Sequence, residues 1–452
     1  MTATETTEKM PVGIGNAYVF QVFNTISFTI VLGLPMILFF KHLGVTAAVL
    51  GIVMALPALL NTLQIPAAPL VEKVGYRAFV LRGWTARTFM ILGMAGVAFL
   101  PARMDRVTLI ALMLFLLFIY NASRGFSVCG FLPWMTQLVP ESLRGRYLSR
   151  DQMATALAML GTMLVTTAVT HGATGTAVFG WMFLVAFAAG MISLLFLRKI
   201  PDVPVPATSK SSGEVPWKAM LLHPPFFRLV VYNVVVLVAL SGSSVCWVPL
   251  LRDVYRFEDW QFLGMLSLFS AWSVVALWGV GAVADRVGSK PLLGLSGIVL
   301  MAHWLLWAAV AARVVAPTLW LVVLMQMSAA LSVALYTLPN TRLAMAVVPE
   351  MGRSHFFALF SVTTSVTAGI FPIVWGMGMD AVGDWTARWA TWEWNQYSLV
   401  FTGAVLIMGV SLFFRARLLE PKAMPTDVFL HELLVKTPSR ALTRLITRRP
   451  LA

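Results

Sequence analysis

The chain has 452 residues, 59% of them hydrophobic and only 12% charged, with a mean hydropathy of +0.82 and a formal charge of +14. A soluble domain carries about a quarter charged residues, so an aqueous fold is excluded. In a membrane protein a basic excess belongs to cytoplasmic loops facing anionic lipid, and no nucleic-acid partner is expected.

The polar start "MTATETTEKMPVG" has a lone Lys9 and no small-residue cleavage pattern, so no cleavable signal peptide is expected. Six apolar segments follow, at roughly 15–40, 44–66, 78–100, 107–137, 152–172 and 176–197. Residues 198–225, "RKIPDVPVPATSKSSGEVPWKAMLLHPP", are rich in proline and serine and read as a linker. Six more segments lie at roughly 227–250, 260–284, 291–312, 316–345, 355–380 and 396–416. The runs are continuous rather than alternating, which predicts helices and not barrel strands. The fold class is therefore all-α integral membrane, with twelve transmembrane helices. The expected organisation is an N-terminal bundle over 1–200, a cytoplasmic linker over 201–225, a C-terminal bundle over 226–416 and a tail over 417–452. Cys129 and Cys246 both fall inside apolar segments, which speaks against a disulfide framework.

If both termini are cytoplasmic, 24 of the 33 lysines and arginines fall on the inside and seven on the outside. That asymmetry sets the orientation; the expected location is a plasma membrane, the inner one in a bacterium. The outer loop "DWTARWATWEWNQY" places Trp385, Trp389, Trp392 and Trp394 where interfacial anchors sit.

The fourth segment carries an arginine in the middle of apolar sequence, "FIYNASRGFSVCGFLPWM" (118–135). A guanidinium at the bilayer centre costs at least ~2.5–3.5 kcal/mol on insertion scales. Tyr120, Arg124 and Ser127 recur at i, i+4 and i+7, so they share one helix face, which must turn away from lipid. No aspartate or glutamate lies mid-span; Asp151 and Asp380 come nearest, and both fall near segment ends. Two readings of Arg124 stand: it receives an anionic group on a solute, or it is structural and satisfied by carbonyls, Asn121 or Tyr120. Arg87, in the third segment, reads as scaffold. Without a mid-span carboxylate, and with His171 and His303 poorly placed, dependence on a pH gradient is expected to be weak.

The halves repeat weakly. "VPE" at 139–141 returns at 348–350, Phe23-Asn24 meets Tyr232-Asn233, and "EKVGYR" (72–77) corresponds to "DRVGSK" (285–290). The inner loop between the eighth and ninth segments reads "GAVADRVGSKP". A glycine there lets two helices approach, a carboxylate at a helix end can meet a neighbouring N-terminus, and basic residues hold the loop inside. Gly281, Asp285, Arg286, Gly288 and Lys290 resemble the loop signature of the major facilitator superfamily, G-x-x-x-D-R-x-G-x-K. The first-half counterpart, "AAPLVEKVGYR", keeps Lys73, Gly75 and Arg77 but has Ala68 for the glycine and Glu72 for the aspartate. In "LVPESLRGRYLSRDQ" (138–152), Arg144, Arg146 and Arg150 beside Glu141 and Asp151 can form a charge lattice at a gate, or simply a solvated basic loop.

The resemblance implies two pseudo-symmetric six-helix bundles around a central cavity, lined by the first, fourth, seventh and tenth helices. Polar residues on those segments are the candidate solute contacts: Gln21, Asn24, Tyr120, Arg124, Tyr232, Asn233 and Gln326. Each can equally be helix–helix glue. Arg124 also resembles the fourth-helix arginine common in that superfamily, although Gly125 follows directly where the family pattern has R-x-x-Q-G. The tail predicts a basic amphipathic helix on anionic lipid, begun by Thr437-Pro438, with Ala441, Leu442, Leu445 and Ile446 opposite Arg440, Arg444, Arg448 and Arg449. The implied function is a monomeric transporter of a small organic solute by alternating access, with no cofactor and no metal. The second reading is a non-transporting protein of the same fold that handles a pigment or lipid or assists assembly of a membrane complex. No nucleophile–base pair, H-E-x-x-H spacing or phosphate-cradling loop points to an enzyme.

Overall fold

A computed structural model describes residues 9–100, 104–170, 175–206, 220, 222–257, 259–350, 352–420, 423–425 and 428–429. The expected tail helix at 437–449 and His171 lie outside the described residues. The chain forms two compact units, one of Met1–Leu143, Ala154–Pro216 and Pro349–Val362, the other of Arg144–Met153, Trp217–Val348 and Thr363–Ala452. The division is thus not a single cut in the linker: each unit takes in a short piece from the other half of the sequence.

The first unit contains α1 (Gly15–Leu32), α2 (Leu34–His42), α3 (Ala47–Leu60), α4 (Gln64–Val74), α5 (Tyr76–Ala98), α6 (Arg106–Val128) and α7 (Phe131–Leu138). It also holds most of α8 (Arg144–Thr170), all of α9 (Ala177–Arg198) and the start of α14 (Arg353–Val382). The second contains α10 (Pro224–Pro249), α11 (Asp259–Val287), α12 (Ser289–Ala311), α13 (Leu319–Val347), the rest of α14, and α15 (Gln396–Ala416). Three expected segments are broken rather than straight. Gly33 divides α1 from α2, with Pro35 opening the latter. Pro57 and a 3-10 turn at Asn61–Leu63 divide α3 from α4, and Cys129-Gly130 divides α6 from α7. Proline removes an amide and glycine lowers the barrier to leaving helical geometry, so breaks gather at them.

Eleven helices among the described residues are long and apolar enough to cross a membrane. The expected third segment, α5, has 23 residues, enough to traverse a ~30 Å hydrocarbon core at 1.5 Å per residue. It stands apart from the eleven because Arg77, Arg82 and Arg87 lower its hydropathy, so the count of twelve rests on reading α5 as a span. Asp105 caps α6 by accepting from the Thr108 amide at 2.9 Å. Hydrogen bonds from Thr108 hold that carboxyl below its usual pKa.

The two units pack alike. In the first, α5 lies against α6 and α9, α1 against α9, and α3 against α6. In the second, α12 lies against α13 and α15, α10 against α15, and α11 against α13. These are the same pairings, first with sixth, third with fourth and sixth, second with fourth, as the weak sequence repeat implied. The turns repeat too: Gly75 before α5 and Gly288 before α12 take φ of +90° and +89°, a conformation glycine adopts without Cβ strain.

Two expectations change. The segment "RGRYLSRD" is helix, because α8 begins at Arg144 rather than at 152. Asp151 is therefore seven residues inside a 27-residue helix rather than at its end, though in its first half and short of mid-span. The outer tryptophan loop is an antiparallel hairpin, Ala387–Trp389 paired with Trp392–Trp394. It covers the end of α12: the Glu393 amide donates to the Ala312 carbonyl, and Asn395 Nδ2 donates to the Ala311 carbonyl at 2.8 Å.

Gly125 sets the closest approach of α6 to the end of α3, since a Cβ there would collide with the Leu60 carbonyl. Gly161, on α8, has open space around it. Gly125→Ala is expected to cost about 1–3 kcal/mol by overpacking, whereas Gly161→Ala gains about 0.5–1 kcal/mol of helix preference. Thermal midpoints of the purified protein in detergent check both signs.

Candidate functional site

In the first unit the polar face of α1 is already engaged. Gln21 Nε2 donates to Thr155 Oγ1 at 3.0 Å, and Asn24 Oδ1 accepts from the Arg87 guanidinium. Arg87 is 6% exposed, and its Cζ lies 4.8 Å from the Trp84 ring centroid and 5.9 Å from that of Tyr120. An amide oxygen and two aromatic faces are what a cation needs where no carboxylate is at hand. Arg87 is structural, as its position in the third segment suggested, and it draws Asn24 and Tyr120 into the same role.

Arg124 is held differently. Its Nη2 donates to the Pro57 carbonyl at 3.0 Å and its guanidinium faces Phe28 at 5.7 Å. Pro57 sits in the last turn of α3, where carbonyls lack an amide four residues on. The amide that would have served it, that of Asn61, turns to Leu59 instead. Gly125 lets α6 press onto this carbonyl end, where the helix dipole favours a cation. Glycine directly after the arginine thus has a physical reason. One donor is left over: Arg124 Nε is buried without an acceptor, and no carboxylate among the described residues pairs with Arg124. A buried unsatisfied donor costs about 1–3 kcal/mol, more when charged.

In the second unit Asn233 and Asn340 form a reciprocal pair. Asn340 Nδ2 donates to Asn233 Oδ1 at 2.6 Å, and Asn233 Nδ2 donates to Asn340 Oδ1 at 3.0 Å. Tyr336 also donates to Asn233 Oδ1, at 2.6 Å, and Tyr232 is buried beside it with ring centroids 6.5 Å apart. The network clamps α10 to α13. A cavity of about 310 Å³ in the same unit is lined by Ser243, Ser244, Trp247, His303, Trp307 and Gln326, among others. His303 is not free to bind a proton there. Trp307 Nε1 donates to its Nε2 at 3.1 Å, which leaves the proton on Nδ1, 2.9 Å from Ser328 Oγ. Gln326, half-buried on the wall, makes no hydrogen bond among the described residues.

Of the residues expected to contact solute, Gln21, Asn24, Tyr120, Tyr232 and Asn233 are taken up by protein partners or buried in the core. Arg124 and Gln326 keep hydrogen-bonding capacity to spare.

The loop signature has a definite geometry. Asp285 accepts from the amides of Gly145 at 2.7 Å and Arg146 at 3.0 Å, so it caps α8. A Cβ on Gly145 would meet Asp285, and one on Gly281 would meet Ser149, so both glycines are required by the close approach of α8 and α11. Arg342 Nε lies 3.6 Å from Asp285, and its Nη1 lies 2.8 Å from Glu420. Glu420 in turn accepts from the amides of Ser289 and Lys290, both at 2.8 Å, capping α12. Lys290 Nζ returns to the carbonyls of Ala416 and Leu418 at 2.8 and 3.0 Å, and Arg144 donates to the Met345 carbonyl at 2.9 Å. In the first unit the equivalent Glu72 lies 3.6 Å from His355 Nε2. Lys73 is exposed, and Arg77 makes a surface pair with Asp202 at 3.7 Å. Glu141 and Arg150 are exposed, while Arg146, Asp151 and Arg286 are half-buried. Around 138–152 the contacts seen among the described residues run to helix ends, Asp285 on the α8 amides and Arg144 on the Met345 carbonyl. Sequence reading passed over Arg342, Glu420 and Asn340. A charge at 342 inside an apolar run, and a carboxylate just past the last span, were the available signals.

The sequence matches the profile of the Major Facilitator Superfamily over residues 17–311. No curated protein matches it. Among solved structures, the fucose:proton symporter FucP of E. coli superposes with a TM-score of 0.68 at 15% identity, covering 90% of this chain and 98% of its own. A bacterial homologue of the iron transporter ferroportin gives 0.69 at 12%, covering 90% and 99%. The human organic anion transporter TETRAN gives 0.66 at 14%, covering 90% and 100%. At these identities the likeness speaks for the fold alone.

Arg342→Met leaves Asp285 and Glu420 buried without their cation, and is expected to cost about 3–5 kcal/mol. Asn233→Ala with Asn340→Ala should lose less than the sum of the single changes, because each single change already breaks the pair. Chemical or thermal unfolding of the four variants in detergent reads both effects.

Proposed function

Because the chain belongs to the major facilitator superfamily, we propose that it moves a small organic solute across the membrane by alternating access, as a secondary active or facilitative transporter, and that the solute carries an anionic group. The observation that carries the anionic reading is the spare buried donor of Arg124. A solute carboxylate or phosphate would satisfy Nε and supply the countercharge that the surrounding side chains do not. The similar folds carry, by their names, a sugar with a proton, iron and an organic anion, so the fold by itself selects no substrate.

The same reading includes α5 as the twelfth span, both termini in the cytoplasm, a bacterial inner-membrane location, a monomer and a C-terminal tail resting on anionic lipid. The basic flanks support the orientation. With no carboxylate at mid-span among the described residues, this reading keeps a weak dependence on a pH gradient, and Asp151, in the first half of α8, is the group that would carry a proton if the dependence were steep.

Reconstituted vesicles and a panel of organic anions test the proposal. Uptake of at least one anion is expected, falling about tenfold or more in Arg124→Ala, the equivalent of one charge-assisted hydrogen bond. Binding of a pigment or lipid with no flux of any solute would favour the non-transporting reading. Transport is expected to depend only weakly on a pH gradient, and a steep dependence abolished by Asp151→Asn would overturn that part of the reading.

A further inference from the structure

A second cavity, of about 550 Å³, opens on the first unit between α4, α5 and α6. Its walls are almost wholly apolar, with Leu63, Leu70, Val74, Phe79 and Phe126 among them, yet Arg82 stands at its edge. Arg82 is exposed and makes no ion pair or hydrogen bond among the described residues. Two other arginines in apolar surroundings, Arg87 and Arg124, point inward and find partners. Arg82 occupies the opposite stripe of α5, with Ala86, Phe89 and Leu92 at helical spacing, and Phe89 and Leu92 are 47% and 43% exposed. Large apolar side chains exposed along a span face lipid. A guanidinium in that row, six residues or about 9 Å from the helix start at Tyr76, lies where a lipid headgroup can meet it.

The groove has a built shape. Ser127 packs so closely on Gly83 that a Cβ there would collide with it, which draws α6 against α5 and leaves the hollow beside the contact. The Ser123 hydroxyl lines the hollow and is likewise without a partner among the described residues, and Lys73 is exposed on the last turn of α4.

We propose that this groove is a binding site for one anionic phospholipid, its phosphate on Arg82 and an acyl chain running inward along Ala86, Ala122 and Leu63. The free cation beside an apolar channel matches the charge and shape of such a lipid, and one of the three arginines that set α5 apart from the other spans then has its counter-ion in the membrane. The site rests on the reading that α5 crosses the bilayer.

Native mass spectrometry and thermal midpoints in detergent, with phosphatidylglycerol, phosphatidylcholine or inorganic phosphate added, test it. Phosphatidylglycerol is expected to add one retained lipid and raise the midpoint. Arg82→Gln should weaken that binding about tenfold, the loss of one charge-assisted contact. Ala86→Trp, which fills the groove without touching the charge, should weaken it as well, and Lys41→Gln at a distant exposed position should not. Equal retention of phosphatidylcholine, unchanged binding in Arg82→Gln, or the same midpoint shift from inorganic phosphate alone would each overturn the lipid site. A nitroxide on Phe89→Cys, read by oxygen against nickel accessibility in vesicles, tests the span separately, as Cys129 and Cys246 are buried. Oxygen-dominated access supports the lipid-facing stripe. Nickel-dominated access defeats the spanning reading itself, whereas a lipid-facing Phe89 with no phosphatidylglycerol selectivity defeats only the site.

Discussion

Carboxylates on helix N-termini organise the charged end of the second unit. Asp285 takes two first-turn amides of α8, those of Gly145 and Arg146, and Glu420 takes the first two of α12. A helix that starts without such a partner leaves donors unsatisfied, and each carboxylate also meets the positive end of a dipole. The requirement spreads outward. Asp285 can reach α8 only if the backbones touch, and that demands Gly145 and Gly281. Two carboxylates so close need a cation, and Arg342 lies within reach of both. Lys290 then closes the opposite end of α15.

Arginine poses the reverse problem, since every guanidinium in lipid needs acceptors. Arg87 finds an amide oxygen and two rings; Arg124 finds the exposed carbonyl end of a helix broken at proline. In both cases the partner is uncharged, so the cation keeps its charge and, for Arg124, a spare donor.

The repeat between units is one of packing more than chemistry. Matching helices meet in matching pairs and matching glycines turn the chain. The polar equipment at corresponding places nevertheless diverges. Asn24 holds an arginine where Asn233 holds another asparagine, and Glu72 lies by a histidine where Asp285 lies on backbone amides. Backbone spacing is set by small residues and turns, which tolerate little change, whereas a polar contact needs only some complementary group nearby.

Hydropathy, basic asymmetry and one loop motif determined that this chain is an all-helical membrane protein of a known superfamily, because lipid forces apolar runs of fixed length whatever the neighbours do. The glycine and aspartate of "GAVADRVG" also announced a close approach and a helix cap before any partner was known. Only the tertiary structure decided which helix was capped, that α8 starts at Arg144, and that Asp151 lies inside it. It alone separated polar residues already bonded, such as Asn24 and Asn233, from those with capacity to spare, Arg124 and Gln326. The reason is that a hydrogen bond is a property of two groups, often more than a hundred residues apart in the chain, and a sequence shows each of them singly.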